Sequence, residues 1–138
     1  MIGLDTNILA RYYVEDETDG ESLKQREAAR RLIDAGRPLM VCKTVLLEFE
    51  WVMRGYYRLG SEQIAAVLHH ILSLPHIHVE ERDAVEKALS NYANGLDFAD
   101  ALHHAAYVEC ESMASFDDRK FSRRVQRLGL QPRVFVPE

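Results

Sequence analysis

The opening residues Met1-Ile2-Gly3-Leu4-Asp5-Thr6-Asn7 constrain the chain more than any other stretch, because a short apolar run there stops at a carboxylate and passes at once into helical spacing. Ile8, Leu9, Tyr12 and Tyr13 repeat on one face, so the run predicts a strand feeding a helix, with Asp5 at the junction. In parallel α/β sheets ligands gather at the carboxyl ends of the strands, where loops open between helices on opposite faces. A capping role for Asp5 or Thr6 accounts for the same pattern. A second strand ending in an acid would separate the two readings.

Further along, Glu15-Asp16-Glu17-Thr18-Asp19-Gly20 reads as an acidic, solvated turn. Ser22 with Gln25 resembles a capping box for a helix carrying Ala28, Ala29, Leu32 and Ile33, which Gly36 and Pro38 end. Leu39-Met40-Val41-Cys42 is a continuous apolar run and predicts a buried strand. Thr44 can cap a third helix, whose Val45, Leu46, Phe49, Val52, Met53 and Tyr56 share an apolar face. Glu48 and Glu50 flank that stripe, and periodicity leaves open which one points at the strand ends. Leu47 and Trp51 lie one turn apart on the far face and are read as packing against a further helix rather than as a partner patch.

Ser61 opens a helix with Ile64, Val67, Leu68, Ile71 and Leu72, stopped by Pro75, and Ile77-His78-Val79 predicts another strand. Asp83 and Glu86 form a capping box for a helix through Val85, Ala88, Leu89 and Tyr92, ended by Gly95. Asp97 caps a sixth helix, and Asp100 sits in its first turn, where two like charges repel and a bound cation would relieve them. Ser112-Met113-Ala114-Ser115-Phe116 is a strand that runs straight into Asp117-Asp118, the second strand ending in acid. Arg133-Val134-Phe135-Val136 reads as a closing edge strand. The alternation of strands and helices, with no repeat, implies one α/β domain over residues 1–138.

The net charge of −5 argues against nucleic acid until its distribution is considered. Residues 118–138 hold six basic and two acidic residues, a balance of +4, which leaves −9 for residues 1–117. Arg119, Lys120, Arg123, Arg124 and Arg127 fall at spacings that share one helical face, either a solvated surface or a phosphate-binding one. No apolar run approaches the roughly 20 residues that span a bilayer, and the start lacks a signal-peptide layout, so a cytoplasmic protein without membrane association is expected. Cys42 and Cys110 sit in apolar segments without metal-like spacing and are expected to be small core residues.

Asp5 and Asp117 at strand ends, Asp100 in a first turn, and Glu48 or Glu50 can converge in a parallel α/β fold. Such carboxylates stay ionised together only around a cation. An oxygen-only set favours Mg²⁺ or Mn²⁺ over zinc. The paired His69-His70 and His103-His104 point their members apart on a helix, and His76 and His78 lack further ligands nearby, so a histidine zinc site is disfavoured. His104, one turn beyond Asp100, reads as a packed histidine that could also orient that carboxylate. Magnesium shared between carboxylates and substrate phosphates is the equipment for phosphodiester hydrolysis.

Four segments carry a resemblance: Leu4-Asp5-Thr6-Asn7-Ile8-Leu9, Val45-Leu46-Leu47-Glu48-Phe49-Glu50-Trp51-Val52-Met53, Asp97-Phe98-Ala99-Asp100-Ala101 and Ser115-Phe116-Asp117. Together and in this order they resemble the PIN-domain family, and within it the VapC-type toxins of toxin–antitoxin pairs. The resemblance implies a three-layer α/β/α fold with a mainly parallel central sheet of four or five strands. It implies an acidic quartet of Asp5, Glu48, Asp100 and Asp117, thereby selecting Glu48, with Asn7 and Ser115 ordering the metal site. Against many members of that family the gap from Asp117 to Phe121 is one residue longer, which makes Asp118 a further candidate; Asp97 is another, although capping explains it.

The expected function is a Mg²⁺- or Mn²⁺-dependent endoribonuclease acting as a toxin, leaving 3′-hydroxyl and 5′-phosphate ends. The basic tail would meet RNA, a VapB-type antitoxin would block the site, and a homodimer is expected. A regulatory PIN subunit in a DNA-bound complex, or a DNA nuclease, are the alternatives. A haloacid-dehalogenase-like phosphotransferase would want an acid where Asn7 stands, and a phosphate-receiver domain would want paired acids near the first strand.

Overall fold

A strand of two residues opens the fold: β1, Ile2–Gly3, pairs in parallel with β2, Leu39–Val41, which pairs in parallel with β3, Ile77–Val79. The register sets Ile2 beside Leu39 and Leu39 beside Ile77. β2 is therefore the central strand, and Leu39 and Val41 are wholly buried, as a continuous apolar run requires of a strand covered on both faces. The structure, a computed structural model, describes residues 1–14 and 19–138. The acidic turn expected from Glu15 to Gly20 lies outside the described residues except for Asp19 and Gly20.

The chain divides into two compact units, Met1–Arg82 and Asp83–Glu138. In the first, α1 (Thr6–Tyr13) packs on α2 (Gly20–Asp34) and α3 (Lys43–Gly55), and α3 packs on α4 (Ser61–Ser73). Leu9, Ile33, Leu46, Phe49, Met53, Ile64, Leu68 and Ile71 are buried. Each such aliphatic or aromatic side chain contributes about 1.5–3 kcal/mol relative to exposure. Helix α2 starts earlier than the Ser22–Gln25 box predicts, because the Asp19 carboxylate reaches the Ser22 backbone N–H at 2.7 Å and caps it. Its inward face is Ser22, Arg26, Ala29 and Ile33, so Ala28 turns outward. Helix α3 likewise begins one residue before the expected Thr44 cap, with Cys42 in the capping position and its Sγ 3.2 Å from Thr44 Oγ1.

Two expectations for α3 fail at its surface. Tyr56, assigned to the apolar stripe, is 72% exposed because it falls just past the helix end; Trp51, expected to pack, is 62% exposed.

The second unit holds α5 (Arg82–Ala93), α6 (Phe98–Ala106), β4 (Ser112–Ala114), a π-helical turn (Asp118–Ser122), α7 (Arg123–Leu128) and β5 (Arg133–Phe135). Gly95, at φ 102°, ends α5 in a conformation closed to L side chains. β4 and β5 pair in parallel as a separate two-stranded sheet, Ser112 beside Arg133. The expected central sheet of four or five strands is thus corrected to three strands, with two more apart. No residue of β4 is buried, so it lacks the apolar faces a central parallel strand presents. The alternating, parallel α/β character stands as expected.

Cys42 is half-exposed and Cys110 exposed, so the expectation that both are small core residues fails; Cys110 lies in the loop after α6. Among the described residues no helix is long and apolar enough to cross a membrane.

Candidate functional site

Asp5 stands where β1 ends and α1 begins, and it does cap the helix: its Oδ1 accepts from the Thr6 backbone N–H at 2.8 Å. Capping and site formation are not exclusive here. The exposed Asp5 side chain also lines a cavity of about 440 Å³ with Thr6, Asn7, Ala10 and Arg11 of α1, Gln25 of α2, and Glu48 and Val52 of α3, closed by Tyr56 and Tyr57. Both α1 and α3 start at the carboxyl edge of the parallel sheet, so their early turns bring the two acids to one hollow.

The two glutamates of α3 are sorted by burial. Glu48 is exposed and faces the cavity, whereas Glu50 is 2% exposed and accepts from Arg54 Nε at 2.9 Å, one turn along the helix. Glu50 is thus a structural ion-pair partner.

In the second unit the acids crowd one another. Asp97 caps α6, accepting from the Asp100 backbone N–H at 3.2 Å. Burial pushes the Asp100 carboxyl above its ordinary value, and the charges of Asp97 and Asp117 push it further; His103 and Arg124 oppose this. Asp117 sits beyond β4, in a turn tied by Ser115: the Asp117 N–H donates to Ser115 Oγ at 3.1 Å, while Asp117 Oδ1 accepts from the Lys120 N–H at 2.9 Å. Ser122 N–H closes on the Asp117 carbonyl five residues back, at 3.0 Å. This π turn holds one residue more than an α turn and leaves Phe121 buried. Asp118 is engaged elsewhere, in an ion pair with Arg123 at 2.7 Å.

The basic tail is not one uniform stripe. Arg123 holds Asp118 and Arg124 donates to the Gly95 carbonyl at 2.7 Å, while Arg119, Lys120 and Arg127 are exposed. The expectation of one helical face fails because a π turn, with a different residue period, precedes the short α7. His104 is wholly buried, and its Nε2–H donates to the Pro132 carbonyl at 2.7 Å, so it is a packed histidine.

A hard cation fits these groups chemically. The donors around Asp5 and Glu48 are oxygens, and the Thr6 hydroxyl on the cavity wall is buried with no hydrogen-bond partner among the described residues. Among the described residues no three His, Cys, Asp or Glu side chains cluster closely enough to hold an ion together. Magnesium is usually bound through only one or two carboxylates, with water and substrate phosphate completing its shell, and Asp5 and Glu48 line one cavity.

Of the cavity's lining, sequence reasoning named Asp5, Asn7 and Glu48 as site residues and missed the rest, Arg11, Gln25, Tyr56 and Tyr57 among them. The i to i+4 step from Asn7 to Arg11 and the run Glu48, Val52, Tyr56 were the signals that could have found this extension. Compared with curated proteins, the chain matches none at a meaningful level. The sequence profile of the PIN domain, a fold whose members are commonly metal-dependent nucleases, matches residues 2–126. Coverage of nearly the whole chain shows that the protein belongs to the PIN-domain family.

Proposed function

We propose that this protein is a divalent-metal-dependent endoribonuclease, the toxin of a VapC-type toxin–antitoxin pair working in the cytoplasm. The observation that carries the reading is the sorting on α3: Glu48 shares a cavity with Asp5, while Glu50 is buried against Arg54. Asp5, Glu48, Asp100 and Asp117 are the proposed ligands of Mg²⁺ or Mn²⁺, and the grouping of the two pairs rests on the resemblance of the four motifs. When bound, such an ion lowers the pKa of a water that then attacks phosphorus.

The chain's own residues have separable tasks. Asn7 lines the cavity with Asp5, where it would help order a bound ion; Ser115 holds the turn that carries Asp117. Asp97 keeps the first turn of α6 in place and adds negative charge beside Asp100. Asp118, held by Arg123, is a positioning residue rather than a ligand in this reading. Arg119, Lys120 and Arg127 contact RNA phosphates, with Arg123 and Arg124 secondary because each already serves an internal partner. A VapB-type antitoxin would block the carboxylates with an arginine, and the exposed Trp51 face of α3 suits that partner or a homodimer.

The test is incubation of the partner-free protein with total cellular RNA in Mg²⁺, Mn²⁺ or chelator, beside Asp5→Asn and Asp100→Asn variants, with the cut ends mapped. Discrete metal-dependent cuts bearing 5′-phosphates, lost in both variants, are the expected result. Cutting by the variants at the parental rate sinks the assignment.

A further inference from the structure

The cavity that holds Asp5 and Glu48 does not end at the carboxylates. Glu48 and Val52 lie one turn apart on α3, and Tyr56, four residues further and just past the helix end, continues their line, so the wall runs from the acid to an aromatic ring about 12 Å further along the helix axis. Tyr56 is 72% exposed and meets Tyr57 edge-on, with ring centroids 4.8 Å apart and planes at 83°. On the α1 wall, one turn beyond Asn7, stands Arg11, its Nε donating to Gln25 Oε1 at 2.9 Å. A fixed cation and a buttressed, solvent-facing aromatic ring thus adjoin two acids in one hollow.

We propose that this extension is a nucleobase subsite, in which one unpaired base of the substrate stacks on Tyr56 and the adjoining phosphate lies near Arg11. The identity of the ligand as RNA rests on the nuclease reading; the chemistry of the subsite rests on the cavity itself. A core tyrosine would be buried, and a hydrogen-bonding tyrosine would be recognised by its hydroxyl. A ring 72% exposed and in T-shaped contact with one neighbour has at most one face met by that neighbour, and base stacking on the other tolerates any base. A base inside an A-form duplex cannot reach it, because its faces are covered by its stacked neighbours. The preferred substrate is therefore an unpaired segment, and the cut falls within a nucleotide or two of the stacked base.

The experiment measures fluorescence anisotropy of a labelled, mixed-sequence single-stranded RNA of about 16 nucleotides, and of an abasic strand with the same backbone. The proteins are the Asp5→Asn variant, expected to bind without cutting, and its combinations with Tyr56→Ala and Tyr56→Phe; cleavage is followed in parallel with parental Asp5. Tyr56→Ala is expected to weaken binding of the RNA about tenfold, Tyr56→Phe to preserve it, and the abasic strand to bind both alike. The same pattern with no cutting by the parent keeps the subsite and removes the nuclease reading. Cutting and binding that ignore Tyr56→Ala overturn the subsite and leave the ring to a protein partner. Equal weakening on the abasic strand also overturns it, since stacking would then not be the cause.

Discussion

At the scale of single residues, the two glutamates of α3 separate activity from stability. Under the proposed function, Glu48→Gln is expected to abolish metal-dependent cutting while leaving the unfolding midpoint unchanged, because the side chain is exposed and lines the cavity. Arg54→Ala should do the reverse. It deprives the buried Glu50 carboxylate of a partner at 2.9 Å and costs about 2 kcal/mol in urea unfolding, with cleavage per folded molecule retained. Equal stability losses in both variants would erase the distinction. The sequence could not make this separation by itself, since both acids flank the apolar stripe; only the direction of the helix against α1 and α4 decides which is covered. Tyr13 gives a second test. Burial, and then Tyr12 and Asp34, raise its hydroxyl above the ordinary 10.0, and it meets His70 Nδ1 at 2.7 Å. Above pH 10 the unfolded chain loses this proton while the folded chain keeps it, so stability present below pH 10 is lost as pH rises. Tyr13→Phe should cost about 0.5–1 kcal/mol at neutral pH, yet flatten the alkaline decline. Urea midpoints of both proteins at about pH 8 and about pH 11 check the sign.

At the scale of elements, helices were legible in the sequence and the sheet was not. Helical stripes such as Ile64, Leu68, Ile71 and Leu72 extend over several turns and leave little choice of face. The strands are two or three residues long, too short for an apolar run to specify a neighbour, so β4 and β5 could pair apart from the other three. Caps slipped where a competing carboxylate lay nearby, as Asp19 did before Ser22. Helix ends marked by glycine were read correctly at Gly95, and here geometry grades the cost of substitution. Gly129 closes α7 at φ 66°, ψ 31°, a left-handed conformation that asparagine accepts. Gly95 lies at φ 102°, outside that region. Thermal unfolding should show Gly129→Asn losing a few tenths of a kcal/mol and Gly95→Ala about 1–2 kcal/mol. A Gly95→Ala variant as stable as the parent would mean that the turn into Asp97 relaxes freely.

At the scale of the whole molecule, charge is divided along the chain rather than summed. A net −5 would repel a polyanion if spread evenly, but the last 21 residues carry +4. This asymmetry was legible from sequence; its subdivision was not, because ion pairing depends on which arginine meets Asp118. Under the proposed function, salt should resolve the subdivision. Each phosphate neutralised on single-stranded RNA contributes about 0.7 to the slope of log affinity against log salt. Arg127→Gln should therefore lower the slope by about 0.7, as should changes at the exposed Arg119 and Lys120. Arg123→Gln should lower it by less, since its guanidinium is already held by Asp118 at 2.7 Å, and removing it frees a carboxylate that repels the strand. That variant should instead weaken binding through the uncovered negative charge, a loss that added salt reduces. Anisotropy titrations across a salt series in the Asp5→Asn background measure both quantities. Identical slopes in all four variants would assign the tail to solvent and move RNA contact to Arg11 and the cavity of α1 and α3.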